Sequence, residues 1–207
     1  MKENKIYLLG GADSKKGDTK VIDSKILSEL DNKSVFVINL TTNDKAKIES
    51  YKQFWNFYFN EIGIKEINFL SDSNSHEYIK KKINSAGLIY IIGGDTELLI
   101  ENAKKLKLLP LIKSFKGVIL GNSAGAYLLC NQYIRTSDLK LAKGSGLIKI
   151  NLMVHYLDKF DKQLLELSKD KEIYAISEKS FIIISGKNKD YFGDIHLFSR
   201  GEKSKIN

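Results

Sequence analysis

Short runs of consecutive apolar residues recur along this chain, most of them ending at glycine or following a turn. Residues 6–9 (Ile-Tyr-Leu-Leu) end at Gly10-Gly11, and residues 35–38 follow a turn at Asp31-Asn32. Residues 67–70 follow Gly63, residues 88–92 end at Gly93-Gly94, and residues 118–120 end at Gly121. Runs that are apolar at every position suit parallel strands covered on both faces. The stretches between them carry a helical period. Residues 48–62 place Tyr51, Trp55, Tyr58 and Phe59 on one face, which reads as core packing. Residues 96–107 form a second such helix, with Asp95 or Thr96 as its N-cap and Pro110 as its stop. Strand and helix in alternation predict an α/β fold: an open, mostly parallel sheet with helices on both faces.

The last third has another texture. Residues 173–176, 181–184 and 191–198 read as strands joined by tight turns, which extend the same sheet with antiparallel pairing. The lysine-containing stretch 201–207 reads as a frayed tail. No repeat, low-complexity tract or linker interrupts the sequence, so residues 1–207 are expected to form one domain. A chain of this size buries roughly 70% of its unfolded surface.

Charge narrows the function classes. Lys and Arg number 33 against 25 Asp and Glu, a formal net charge of +8, yet only Arg135 and Arg200 are arginines. Readers of nucleic acid favour the bidentate fork of arginine, whereas dispersed lysine gives a solvated surface. No nucleic-acid partner is therefore expected. No apolar run approaches the ~18 residues of a membrane span, and no leader pattern precedes the first strand, so a cytoplasmic protein without a membrane partner is expected. The single cysteine, Cys130, excludes an internal disulfide and a cysteine-based zinc site.

The chemistry concentrates at Gly121-Asn122-Ser123-Ala124-Gly125, a G-x-S-x-G between a buried strand and an apolar helix. That is the setting of a nucleophile elbow, in which a sharp turn holds the serine hydroxyl above the sheet. The glycines flank it because strand and helix leave no room for side chains there. An oxyanion hole needs two N–H donors near the nucleophile. Ala124 supplies one, and the Gly93-Gly94 turn at the end of a neighbouring strand supplies the other.

A serine hydroxyl needs a base. Of three histidines, His76 opens a polar helix and reads as a surface residue, and His196 sits in the last apparent strand and reads as structural. His155 lies between a strand and a charged helix, where a base belongs. Two carboxylates could orient it: Asp138, in the loop after the elbow helix, and Glu178, in the tight connection between two apolar strands. Spacing alone does not choose between them.

These residues together resemble the serine peptidases that include aspartyl dipeptidase (peptidase E) and cyanophycinase. The resemblance runs from about Ile6 to Phe198. It rests on Ile92-Gly93-Gly94-Asp95-Thr96, on Gly121-Asn122-Ser123-Ala124-Gly125-Ala126, on the stretch 134–138, on His155 followed by an aromatic, and on Ser177-Glu178 before a strand. It implies a three-layer α/β/α sandwich related to class I glutamine amidotransferases and flavodoxin-like in architecture. It further implies Ser123 as nucleophile and His155 as base, with the third member at the position of either Asp138 or Glu178; the rigid strand connection around Glu178 favours it, with Asp138 close behind. Gly93, Gly94, Asp95 and Ala124 fall on the oxyanion and substrate side. No metal or organic cofactor is implied, the partner is a small peptide, and a monomer or homodimer is expected.

The sequence also departs from this pattern. Where aspartyl dipeptidases carry an Asn-Pro-His-Phe-like stretch, this chain reads Met153-Val154-His155-Tyr156. Their substrate-binding arginine is missing, since residues 157–171 contain Lys159, Lys162, Lys169 and Lys171 only. A lysine offers a point charge and no fork. The expected activity is hydrolysis of small peptides. The alternatives are a non-catalytic ligand-binding protein on the same scaffold and a small esterase.

Overall fold

The computed structural model describes residues 4–71 and 74–206. Thirteen strands and seven α-helices follow in order: β1 (Lys5–Leu9), α1 (Lys20–Glu29), β2 (Ser34–Ile38), α2 (Lys45–Glu61), β3 (Glu66–Phe69), α3 (His76–Ser85), β4 (Leu88–Ile91), α4 (Thr96–Lys105), α5 (Leu108–Ser114), β5 (Val118–Asn122) and α6 (Ala124–Leu129). The remainder is β6 (Gln132–Ile134), β7 (Leu141–Lys143), β8 (Asn151–Val154), α7 (Asp161–Leu167), β9 (Ile173–Ile176), β10 (Phe181–Ser185), β11 (Asn188–Phe192), β12 (Ile195–Ser199) and β13 (Glu202–Lys205).

The apolar runs become the strands of a seven-stranded sheet in the order β11-β10-β1-β5-β4-β2-β3. The five strands from β1 to β3 in that order are parallel, and β10 and β11 close one edge antiparallel. Successive side chains of these strands point to opposite faces. Tyr7, Leu9, Val35, Val37, Tyr90 and Leu120 therefore pack under α1 and α2. Leu8, Phe36, Ile38, Ile89, Ile91 and Ile119 join the cluster containing α3 to α6. Burying each such side chain contributes about 1.5–3 kcal/mol. The three-layer sandwich expected for the sheet and its helices is what forms.

A second sheet, in the order β13-β12-β9-β8-β6-β7, was not foreseen. It lays Tyr133, Leu152, Val154, Tyr174 and Ile176 against the α4–α6 side of the core and covers its outer face with α7. The late strands thus divide between the sheets. Residues 181–185 extend the large sheet as expected, but 173–176 pairs in parallel with β8 in the small one. The run 191–198 breaks at Gly193-Asp194, where Gly193 has φ +86° and Asp194 is tied to the turn 177–180.

Two further expectations are corrected. Helix α4 is ended by Lys107, in the left-handed region at φ 52°, and Pro110 lies in the first turn of α5. The N–H that proline lacks is not needed in a first turn. The tail is not frayed over 202–205. It forms β13 against β12, and the Lys203 ammonium bridges Asp158 at 2.8 Å and Asp161 at 2.9 Å.

Candidate active site

Parallel pairing in register sets the carboxyl ends of three strands side by side. Leu9 lies opposite Asn122, and Gly121 opposite Ile91. The next residues along, Gly10, Ser123 and Ile92, therefore meet at one rim of the sheet, where ligands of open α/β folds bind. The small sheet brings the end of β8, and with it His155, to the same place.

Ser123 occupies a strained backbone, φ 52° and ψ −108°. The tight turn is held because its amide donates to Leu9 O at 3.0 Å and its carbonyl accepts from Ala126 and Tyr127. The flanking glycines are required by contact. A Cβ on Gly125 would lie 2.4 Å from Ile91 O, and one on Gly121 2.6 Å from the Gly125 carbonyl. Any side chain there would push α6 off the sheet.

His155 has φ 53°, and its amide donates to Gly10 O at 2.7 Å, which hooks the small sheet onto β1. Its Nε2 lies 2.7 Å from Ser123 Oγ, and its Nδ1 lies 3.1 Å from Glu178 Oε1. Glu178 sits in the turn where the chain passes from β9 in the small sheet to β10 in the large one. That turn is fastened on three sides. Lys179 N–H donates to Gly11 O at 2.8 Å, the Lys179 ammonium pairs with Asp18 at 2.8 Å, and Ser177 Oγ donates to Asp194 Oδ2 at 2.7 Å.

Asp138 goes elsewhere. Both its oxygens accept from Arg135, at 3.0 and 2.7 Å, and Oδ1 also takes the Lys140 amide. The Arg135 hydrogen bonds hold its carboxyl below the usual carboxylate range. Asp138 and Arg135 line a polar cleft of about 420 Å³ together with Gly94, Asp95 and Glu97. Asp95 caps α4 by accepting the Leu98 amide at 2.9 Å. Gly93 adjoins Ser123, since a Cβ on it would lie 3.4 Å from Ser123 Cβ. Ala124 opens α6 directly after the serine.

Two contributors escaped the sequence. Gly11, at φ +121°, forms the seat of the imidazole; a Cβ there would come within 2.2 Å of His155 Cε1. The Gly-Gly ending of the first strand, like that at Gly93-Gly94, was the available signal. The buried Tyr127 hydroxyl accepts the Val154 amide at 2.9 Å and donates to Ile134 O at 2.9 Å. It ties the elbow helix to the residue before His155, and nothing in the sequence marks it. Of the remaining candidates, His196 packs against Tyr156 in the small sheet. Cys130 is buried and hydrogen-bonded to backbone carbonyls, and burial pushes its thiol well up. Among the described residues, no three or more His, Cys, Asp or Glu side chains gather as a metal site, and no helix is long and apolar enough to cross a membrane.

An elbow serine, a histidine on its hydroxyl and a three-layer α/β scaffold define a class, that of the serine hydrolases. The chain belongs to peptidase family S51, whose model it matches over residues 6–191, and it is a serine-type peptidase by that membership. Its fold is similar to a crystal structure of a peptidase from an acI-B1 Actinobacterium, with a TM-score of 0.70 at 21% identity over 99% of this chain and 94% of that one. It is similar also to a peptidase E-type protein from Listeria monocytogenes EGD-e, with a TM-score of 0.68 at 21% identity over 91% and 98% of the two chains. No curated protein matches the sequence.

Proposed function

We propose that this protein hydrolyses small peptides through a Ser123–His155–Glu178 triad and an acyl-enzyme. The observation that carries the reading is the unbroken chain from Ser123 Oγ through both ring nitrogens of His155 to Glu178 Oε1. His155 Nε2 takes the hydroxyl proton as Oγ attacks the scissile carbonyl carbon. Glu178 accepts the Nδ1–H bond, which fixes the tautomer and favours the imidazolium that forms. The tetrahedral oxyanion rests on the amides of Ala124 and Gly94. On collapse the C–N bond breaks and His155 returns the proton to the leaving amine. Water then attacks the acyl ester by the same route and frees Ser123. No step calls for a metal or organic cofactor.

A fluorophosphonate probe with peptide mass mapping tests this. Labelling at Ser123 that is abolished in Ser123→Ala, with a matching loss of dipeptide turnover, is expected. Equal labelling of the variant, or none of the wild type, would remove Ser123 from the mechanism.

A further inference from the structure

A second cavity, of about 200 Å³, opens beside the nucleophile on the α2 side of the sheet. Gly93 and Asn122, the strand-end residues next to Ser123, form part of its lining, and Tyr51, Phe54 and Trp55 of α2 form an aromatic wall. The aromatic face of α2 thus serves two purposes. Trp55, Tyr58 and Phe59 are buried against the sheet, and the Trp55 and Phe59 rings meet Tyr90 tilted and edge-on. One turn earlier, Tyr51 and Phe54 are only half-buried, so aromatic surface is left uncovered beside a reactive serine.

That wall is preformed. The Phe54 ring stacks on Tyr58 at 5.8 Å and meets Trp55 edge-on at 5.1 Å, so seating a ligand orders few side chains. A polar anchor lies beside it. Asn122 is buried, and its Oδ1 has no hydrogen-bond partner among the described residues; a turn of that side chain toward the cavity would present it to a peptide N–H. Asp13, Ser14 and Lys15 line the cavity as well, with the Lys15 ammonium 5.9 Å from the Phe54 ring centroid, so the aromatic wall is joined by groups able to hold the polar ends of a small peptide. The polar cleft on the other face makes a poor seat for an acidic side chain, because Arg135 there is held by Asp138 and lies 3.6 Å from Glu97.

We infer that the site selects peptides with an aromatic or large aliphatic side chain on a residue flanking the scissile bond, seated against Tyr51, Phe54 and Trp55. The inference rests on Ser123 being the nucleophile and adds the substrate class. Trp55 is the only tryptophan, so its emission reports directly on the cavity. In Ser123→Ala, titration with Phe-Ala and Ala-Phe should give a saturable emission change with at least one of them. Ala-Ala and Asp-Ala should give none. In the wild type, kcat/KM for the preferred phenylalanine dipeptide should exceed that for Ala-Ala by about tenfold or more. In Phe54→Ala that ratio should fall towards one. A silent Trp55 with both dipeptides, a wild-type preference for Asp-Ala, or a ratio that survives in Phe54→Ala would overturn the inference. Failure of the nucleophile reading looks different, as an unlabelled Ser123 beside a Trp55 that still responds. A labelled, active enzyme indifferent to side chain sinks the aromatic subsite alone.

Discussion

Two loops offered a carboxylate to His155, and they are built differently. The turn 177–180 joins the two sheets, and backbone bonds to Gly11 and Asp194 hold it at the rim where β1, β5 and β8 end. The hairpin between β6 and β7 is held largely within itself, by the Arg135 amide on Lys140 O, the Leu139 amide on Arg135 O, and Arg135 and Asp138 closing on each other across three residues. A carboxylate on the first loop is pointed by the scaffold. A carboxylate on the second is consumed by its neighbour. In the proposed mechanism, position for catalysis is a property of the backbone frame more than of the acidic group, since Glu178 is largely exposed and meets the imidazole through one hydrogen bond.

The strongest way to break that contrast is Glu178→Gln. Losing the acceptor charge that fixes the His155 tautomer should lower kcat by about 10²–10⁴-fold with little change in KM. Steady-state kinetics on a dipeptide checks it. A loss under threefold would mean the turn carries no catalytic group, and the contrast would collapse.

Next comes the frame itself. Gly11→Ala inserts a methyl where the imidazole lies, on a backbone at φ +121°. The ring must move, and a displacement of about 1 Å at a catalytic group costs roughly 10²-fold in rate. The folded protein should remain, with unchanged circular dichroism, while fluorophosphonate labelling of Ser123 slows in proportion. Labelling at the wild-type rate would show that the seat does not hold His155.

Tyr127→Phe probes a side chain that ties the elbow helix to two places, Val154 before His155 and Ile134 before the hairpin. It leaves the Val154 N–H buried without its acceptor, a cost of about 1–3 kcal/mol. Urea denaturation should show that loss, with activity falling by less than in Gly11→Ala because His155 keeps its bond to Gly10. No change in the denaturation midpoint would remove Tyr127 as a tie.

Much of this was legible in the sequence, and for definite reasons. Strands β2, β4 and β5 could be read because both their faces are buried, so each carries a continuous apolar run. Strand β1 is covered from Tyr7 onward and carries one too, while the edge strand β3 is only partly covered and its run is interrupted. Ser123 could be read because a tight turn between strand and helix excludes side chains at Gly121 and Gly125. The small sheet could not be read. Its strands β6 and β7 have three residues each, too few for a period to show, and β13 is polar at every position, held by pairing with β12 and the Lys203 bridge. The choice between Glu178 and Asp138 was hidden for a related reason. It depends on which loop the inter-sheet crossing brings to the rim, and the boundary between the sheets leaves no local mark beyond Gly193.

The smallest expected effect lies with the second loop. Asp138 has a folded pKa below its ordinary value of 3.8, chiefly through the hydrogen bonds from Arg135. A depressed carboxylate adds stability that is complete above the unfolded value and disappears as pH falls through the folded one. Asp138→Asn lacks that contribution at every pH. The wild type should therefore exceed the variant slightly in thermal midpoint at about pH 6, and the two should converge as pH falls through the folded value and Asp138 of the wild type takes up its proton. The gap should be small because both side chains are solvent-exposed and exposed pairs are screened. At neutral pH, kcat should stay within a few-fold of wild type. A fall approaching that of Glu178→Gln would transfer the orienting role to the hairpin and reverse the comparison, because the Arg135 pair would then have to open for His155 to be held.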